Sequence, residues 1–234
     1  MEARTLVVGI MRTNSTRVER KVFQRVGGIS LAARFMRKLR SIERPDVGIG
    51  ILTRDQDIID CANGSGVRAY HRSEGSISTP IADNLWSQSY EEIQRNYDRV
   101  IRVNPCMPFL EVKTIEDAIR YSRSLPFWTS VFQRNGWLWN EKRELTNGDD
   151  EPSSSSSGPL YYTMGSAFWA FSAESLSWDN IQRWQQCSER IMPYEWSPEF
   201  LDVDTPSDLE LCRAWHNHAF HQAGRIKNEK DKKE

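Results

Sequence analysis

Apolar residues along the chain gather into short runs separated by polar stretches, and the spacing within each run predicts its element. TLVVGIM, Thr5 to Met11, has strand length, is β-branched at Val7 and Val8, and empties into a polar loop, as a buried strand does. After a basic stretch from Arg12 to Gly28, Leu31, Phe35, Met36 and Leu39 recur at helical spacing with cations on the opposite face. Asp46 to Leu52 reads as a second strand, DQDIIDCAN as a short helix and Gly66 to His71 as a third strand. Leu85, Tyr90 and Ile93 form the stripe of a helix from Ile81 to Tyr97, and Asp98 to Val103 is a fourth strand stopped by the prolines of NPCMP. Thr114 with Asp117 predicts a capping box opening a helix to about Ser122, and PFWTSVF predicts a fifth strand. The pattern fades between Gln133 and Tyr162, around the serine-rich NGDDEPSSSSSG, which reads as a mobile loop. SAFWAFSA is a later strand, and the segment from Glu195 ends in a helix and a charged tail.

Strands alternating with helices through residue 132 predict a parallel, three-layer α/β sheet. Ligands in such sheets sit beyond the carboxyl ends of the strands, which singles out the loops Arg12 to Gly28 and Asn104 to Phe109. The 234 residues suit one domain, residues 1–223, with an irregular arm at 133–163 and a solvated tail at 224–234. A net charge of −1 gives no field for nucleic acid. The four cysteines are widely spaced without a C-x-x-C pair, as expected of a reducing cytoplasm, and no apolar run approaches the 18 residues or so of a membrane span.

Three constellations could carry chemistry. The first strand empties into RTNSTRVERK, Arg12 to Lys21, whose cations and hydroxyls suit a polyanion: arginine offers planar paired donors to phosphate, and lysine a compact charge. It is not a Walker A loop. Asp202 and Asp204, one residue apart in an extended segment, point to one side, as a magnesium ion bridging phosphates requires; equally, Asp204 could simply cap the final helix. Asn104 to Pro108 is a strand exit stiffened by two prolines, able to hold a side chain against a ligand. Trp128, Trp137, Trp139 and Trp169 gather around the irregular segment and read as core or dimer contacts rather than sugar platforms. His216, His218 and His221 read as residues near the negative end of a helix dipole rather than metal ligands.

Together these segments resemble the acylneuraminate cytidylyltransferases, or CMP-sugar synthetases, with features of the spore-coat polysaccharide and CMP-Kdo cytidylyltransferases. The resemblance runs from about Leu6 to Arg123 and from Pro159 to Trp215. It rests on RTNSTRVERK with GISL, on NPCMPFL against the family's QPTSPLR, and most specifically on DVDTPSDL (Asp202 to Leu209) against DIDTPEDL. The resemblance implies a Rossmann-like nucleotidyltransferase fold, an α/β/α sandwich with a mostly parallel sheet and a small dimerisation arm. It implies a homodimer that takes CTP and an acidic sugar, a nonulosonic acid or Kdo-like, to CMP-sugar and pyrophosphate. By position, Arg12, Asn14, Ser15, Arg17 and Lys21 would hold the triphosphate, Asp202 and Asp204 magnesium, Arg72 the base or phosphates, and Asn104 the sugar side; Arg12, Lys21 and Asp204 would be catalytic. Gly165-Ser166-Ala167 matches a family N-G-A whose Asn is here Met164. Val22, Asn104 and Leu110 depart from the family's Asn, Gln and Arg, which disfavours sialic acid itself. Two rivals remain: a nucleotide-sugar glycosyltransferase of similar fold, and a catalytically silent nucleotide-binding paralogue.

Overall fold

Thr5–Ile10 forms the first strand (β1), and all but its last residue are buried. A strand covered on both faces has no polar side to alternate with, so it appears in the sequence as a continuous apolar run. The polar loop that follows holds a 3-10 turn at Lys21–Phe23 and a small antiparallel ribbon, Arg25–Val26 (β2) with Ile29–Ser30 (β3). Gly27 and Gly28 close that ribbon at φ of 60° and 78°, the left-handed pair a two-residue hairpin requires. Leu31–Arg40 (α1) is capped by Ser30, whose hydroxyl accepts from the Ala33 amide, and it buries Leu31, Phe35, Met36 and Leu39 as their spacing predicts.

Val47–Thr53 (β4), Gln56–Gly64 (α2), Arg68–His71 (β5), Tyr90–Asn96 (α3) and Arg99–Val103 (β6) continue the alternation. Val112–Ser122 (α4), Phe127–Asn135 (β7), Leu160–Ser172 (β8), Ile191–Tyr194 (β9) and Pro206–Lys230 (α5) complete it. This computed structural model describes residues 4–71, 89–123, 127–147, 159–173, 191–195 and 197–230. Arg72, the expected start of the third helix at Ile81 and the serine-rich loop lie outside the described residues.

The main sheet runs β5-β4-β1-β6-β8-β7-β9. β1 pairs in parallel with β4 and β6, β4 with β5, and β7 with β9, whereas β8 is antiparallel to both β6 and β7. The sheet is thus mostly, not wholly, parallel: side-chain alternation reports which face a residue takes but not the direction of its strand. One face packs Val7, Ile51, Ile101 and Val103 against Phe35, Met36 and Leu39 of α1 and Ile115 and Ile119 of α4. The other packs Leu6, Val8, Leu52 and Val100 with Ile93 of α3. Trp128 is fully buried, edge-on to Tyr121, which places it in the core.

Two local expectations are corrected. The stretch where the pattern fades is in part strand: Gln133, Arg134 and Asn135 pair with Tyr162, Tyr161 and Leu160. All three β7 residues there are exposed, so the ladder persists without an apolar signature. Beyond it a Trp139–Leu145 bridge continues the arm. The helix α4 begins earlier than the Thr114–Asp117 capping box would have it. Its cap comes from Glu199 in a 3-10 turn at Pro198–Phe200, whose Oε2 accepts from the Glu111 amide (3.1 Å) and the Thr114 hydroxyl (2.8 Å). Asp117 pairs instead with Lys113 and Arg120. Among the described residues no helix is long and apolar enough to cross a membrane.

Candidate functional site

The strand order sets the site. From β1 the chain crosses to β4 on one side, while β6 lies on the other, so the crevice opens at the carboxyl ends of β1 and β6. The two loops that leave those ends are the ones singled out from the sequence.

The first loop is tied at its start and open thereafter. The Met11 amide donates to the Leu52 carbonyl (3.1 Å), and the Thr13 amide to Asp55 Oδ2 (2.5 Å). Thr13, Asn14, Ser15, Glu19 and Arg20 then line an open hollow of about 270 Å³ together with Asp57 of α2. Arg20 sits at φ 45° and bonds Asp57 at 2.6 Å. Arg12, Asn14 and Arg17 are exposed, and Ser15 is partly so. Val22 points inward and is buried in the core, which gives a physical reason for an apolar residue at that position.

The second loop is pinned throughout. The Asn104 amide donates to the Ala167 carbonyl (2.9 Å), and Asn104 Oδ1 accepts from the Cys106 amide (2.9 Å). Lys38 of α1 donates from Nζ to the carbonyls of Met107 (3.0 Å) and Pro108 (2.8 Å). Burial, reinforced by Arg34 and opposed by Glu199, pushes that amine down to about 7. Leu110 is fully inside the core. Burial pushes the Cys106 thiol up to about 12, which protects it for as long as the loop stays closed.

The carboxylates arrive from the far end of the sequence. The Val203 amide donates to the Cys106 carbonyl (3.0 Å), and Val203 is buried beneath the loop, which turns Asp202 and Asp204 toward the crevice. Asn104 Nδ2 donates to Asp202 Oδ2 at 2.8 Å. Asp204 Oδ1 accepts from Lys21 Nζ at 2.9 Å and from Arg17 at 3.1 Å. The alternative of Asp204 as helix cap is resolved by its neighbours. Thr205 and Asp208 form a reciprocal box at the start of α5, with Asp208 Oδ2 taking the Thr205 amide (2.7 Å) and the Thr205 hydroxyl contacting the Asp208 amide (3.3 Å). The Asp204 side chain is therefore left to the basic loop.

Asp202 has the features of a cation ligand. Burial, then the charge of Asp204, raises its carboxyl above the ordinary value, against lowering by Lys21, Asn104 and Ser166. Its Oδ1 is buried with no hydrogen-bond partner. A hard cation taking one or two carboxylates plus phosphate oxygens fits this donor set, and magnesium is such an ion. No group of three or more His, Cys, Asp and Glu side chains suited to a metal occurs among the described residues. His216 instead lies over Gly27, where a Cβ would fall 1.9 Å from its Nε2.

The structure thus brings Arg17 and Lys21 onto Asp204 and Asn104 onto Asp202, with Arg12, Asn14 and Ser15 on the same loop as the two cations. Sequence reasoning missed Lys38 and Glu199. Each acts through main-chain or distant groups, and nothing in its own neighbourhood marks it apart from other surface charges.

No protein-family model and no curated protein matches the chain. Among solved structures it is similar to a CMP:2-keto-3-deoxy-manno-octonic acid synthetase complexed with CTP. That match is 14% identical, covers 93% of this chain and 100% of the other, and has a TM-score of 0.67. A 4-diphosphocytidyl-2C-methyl-D-erythritol synthase from Anaerococcus prevotii is 12% identical over 91% and 96% of the two chains, with a TM-score of 0.58. The shared property is the fold: a Rossmann-like, mostly parallel α/β sheet of the nucleotidyltransferase kind.

Proposed function

We propose that this protein is a cytidylyltransferase that joins an acidic sugar, a nonulosonic acid or Kdo-like, to the α-phosphate of CTP and releases pyrophosphate. One observation carries the reading: a cation-rich loop at the end of β1 is bonded directly to Asp204, two residues from Asp202, which keeps a buried oxygen unpartnered. The two structural relatives support the nucleotide class, since both bear the names of cytidyl-transferring synthases and one is complexed with CTP.

In this reading Arg12, Asn14, Ser15, Arg17 and Lys21 bind the triphosphate, and Asp202 and Asp204 hold magnesium. Magnesium, when bound, neutralises charge on the phosphates. Nucleotidyl transfer needs positioning and charge neutralisation more than covalent help, and these residues supply both. Lys21 and Arg17 bond Asp204; a triphosphate would offer them a richer anion and leave the carboxylate for the metal. Asn104, held by the second loop, faces the sugar side, and Arg72 belongs to the nucleotide side. We extend the reading to a cytoplasmic homodimer formed through the arm, supported by the exposed Leu138, Trp139, Leu160 and Tyr162.

The test is pyrophosphate release from CTP and magnesium across nonulosonic acids, Kdo and neutral sugars, repeated with ATP, GTP and UTP. Release with CTP and one acidic sugar is expected. Release with another nucleotide alone would refute the cytidyl assignment, and CTP binding without release on any sugar would point to a silent nucleotide-binding protein.

A further inference from the structure

We propose that Lys38 is a positioning residue of this site: its amine clamps the Asn104–Pro108 loop and thereby sets Asn104 against Asp202. The proposal deepens the cytidylyltransferase reading but stands on bonds seen in the chain alone. Lys38 lies on α1, outside both loops, yet its Nζ reaches into the second and takes two successive main-chain carbonyls, Met107 at 3.0 Å and Pro108 at 2.8 Å.

A largely buried ammonium is costly unless it is bonded, and here the bonds go to backbone rather than to a carboxylate. Met107 O also receives a longer bond of 3.4 Å from the Leu110 amide, whereas Pro108 O takes the shorter of the two Lys38 bonds. Neither Pro105 nor Pro108 has an N–H with which to tie the loop down. From the clamp a continuous series of bonds leads to the metal pair. The Cys106 amide reaches Asn104 Oδ1, Asn104 Nδ2 reaches Asp202, and the Cys106 carbonyl holds the Val203 amide between the two aspartates. Truncating the amine leaves a buried carbonyl unpaired and lets the loop relax, and Asn104 and Asp202 move with it. The charged groups facing the amine are Arg34 on its own helix and Glu199 from the turn that caps α4. Glu199 is occupied by the Glu111 amide and the Thr114 hydroxyl and does not take the clamp's place.

Cys106 reports on the loop without any ligand. It is 7% exposed, whereas Cys212, on α5 in the same apolar cluster, is fully buried and reports opening that spreads beyond the loop. The experiment measures thiol-reagent labelling of each cysteine by peptide mass in the full chain, for wild type, Lys38→Met and Lys38→Arg, alongside calorimetric affinity for CTP with magnesium. In Lys38→Met, Cys106 is expected to label about tenfold faster or more while Cys212 stays protected, because a local opening has been made easier. Affinity for CTP with magnesium falls by a similar factor, and Lys38→Arg, which keeps a donor and a charge, recovers most of both. Unchanged Cys106 protection in Lys38→Met overturns the proposal, as does parallel exposure of Cys106 and Cys212 with no recovery in Lys38→Arg. Should Lys38→Met not fold, Lys38→Gln is scored by the same criteria. A wild-type protein that binds no CTP refutes the proposed function, and the labelling result still decides the role of Lys38.

Discussion

The two loops that meet at the crevice are built on opposite plans. The loop after β1 is exposed along most of its length, and its cations bond to side chains: Arg17 and Lys21 to Asp204, Arg20 to Asp57. The loop after β6 is largely buried, and apart from the Asn104–Asp202 bond it is held through its main chain, by Lys38, Val203 and the Asn104 side chain. Side-chain ion pairs at a surface contribute little to stability and are easily exchanged, whereas buried main-chain bonds are costly to break. The difference suits a division of labour in which the exchangeable loop grips a charged ligand that must come and go, and the fixed loop keeps the carboxylates in register.

The largest test of that contrast is Lys21→Ala. If the first loop serves binding and chemistry rather than folding, turnover should fall on the order of 10²-fold, by analogy with loss of a transition-state donor. Its melting temperature should barely move, because its partner Asp204 is 43% exposed. Wild-type turnover in this variant would remove the phosphate role of the loop. Next in size is Asp202→Asn. The raised carboxyl means that the folded state holds its proton to higher pH than the unfolded chain does. Stability present at low pH is therefore lost as pH climbs from the ordinary 3.8 through the raised value, and the ionised side chain weighs against the fold at neutrality. The Asn variant should lose magnesium-dependent CTP binding yet melt at the same temperature or a few degrees higher, and its melting point should depend less on pH. A clear drop in melting temperature would mean that Asp202 is structural. The smallest effect is expected at Glu199→Ala, which removes the cap that ties the Pro198–Phe200 turn to the start of α4. Loss of such a cap costs about 1 kcal/mol, or roughly 2 to 4 °C in a chain of this size. A shift confined to turnover, with no change in melting, would contradict the capping role.

Much of the fold is legible in the sequence because burial on both faces writes a plain signal. β1, β4 and β6 are apolar runs, and α1 carries its core residues at helical spacing. Legibility fails where the determinant is remote or directional. Nothing in SAFWAFSA says that β8 runs against its neighbours, and Thr114 looks like half of a local cap when its partner is 85 positions away. The site follows the same rule. Lys21, Asp202 and Asp204 are visible because clustered like charges are rare without a ligand in view. Lys38 is invisible because it looks like one more cation on a solvated helix face and is distinguished only by what folds over it.

The bond between Lys21 and Asp204 joins residues 183 positions apart, and that span bears on how the protein comes into being. Synthesis proceeds from the amino end, and the early part of a chain is able to organise before the rest emerges. The basic loop and the four main-sheet strands through β6 are thus made long before Asp204 exists to answer Lys21. During that interval Arg17 and Lys21 are without the carboxylate they pair with in the folded chain. Residues 202 to 204 follow late, just ahead of α5, so on the proposed reading the site is completed in a single late event. A chain interrupted anywhere before them would be inert rather than partly active.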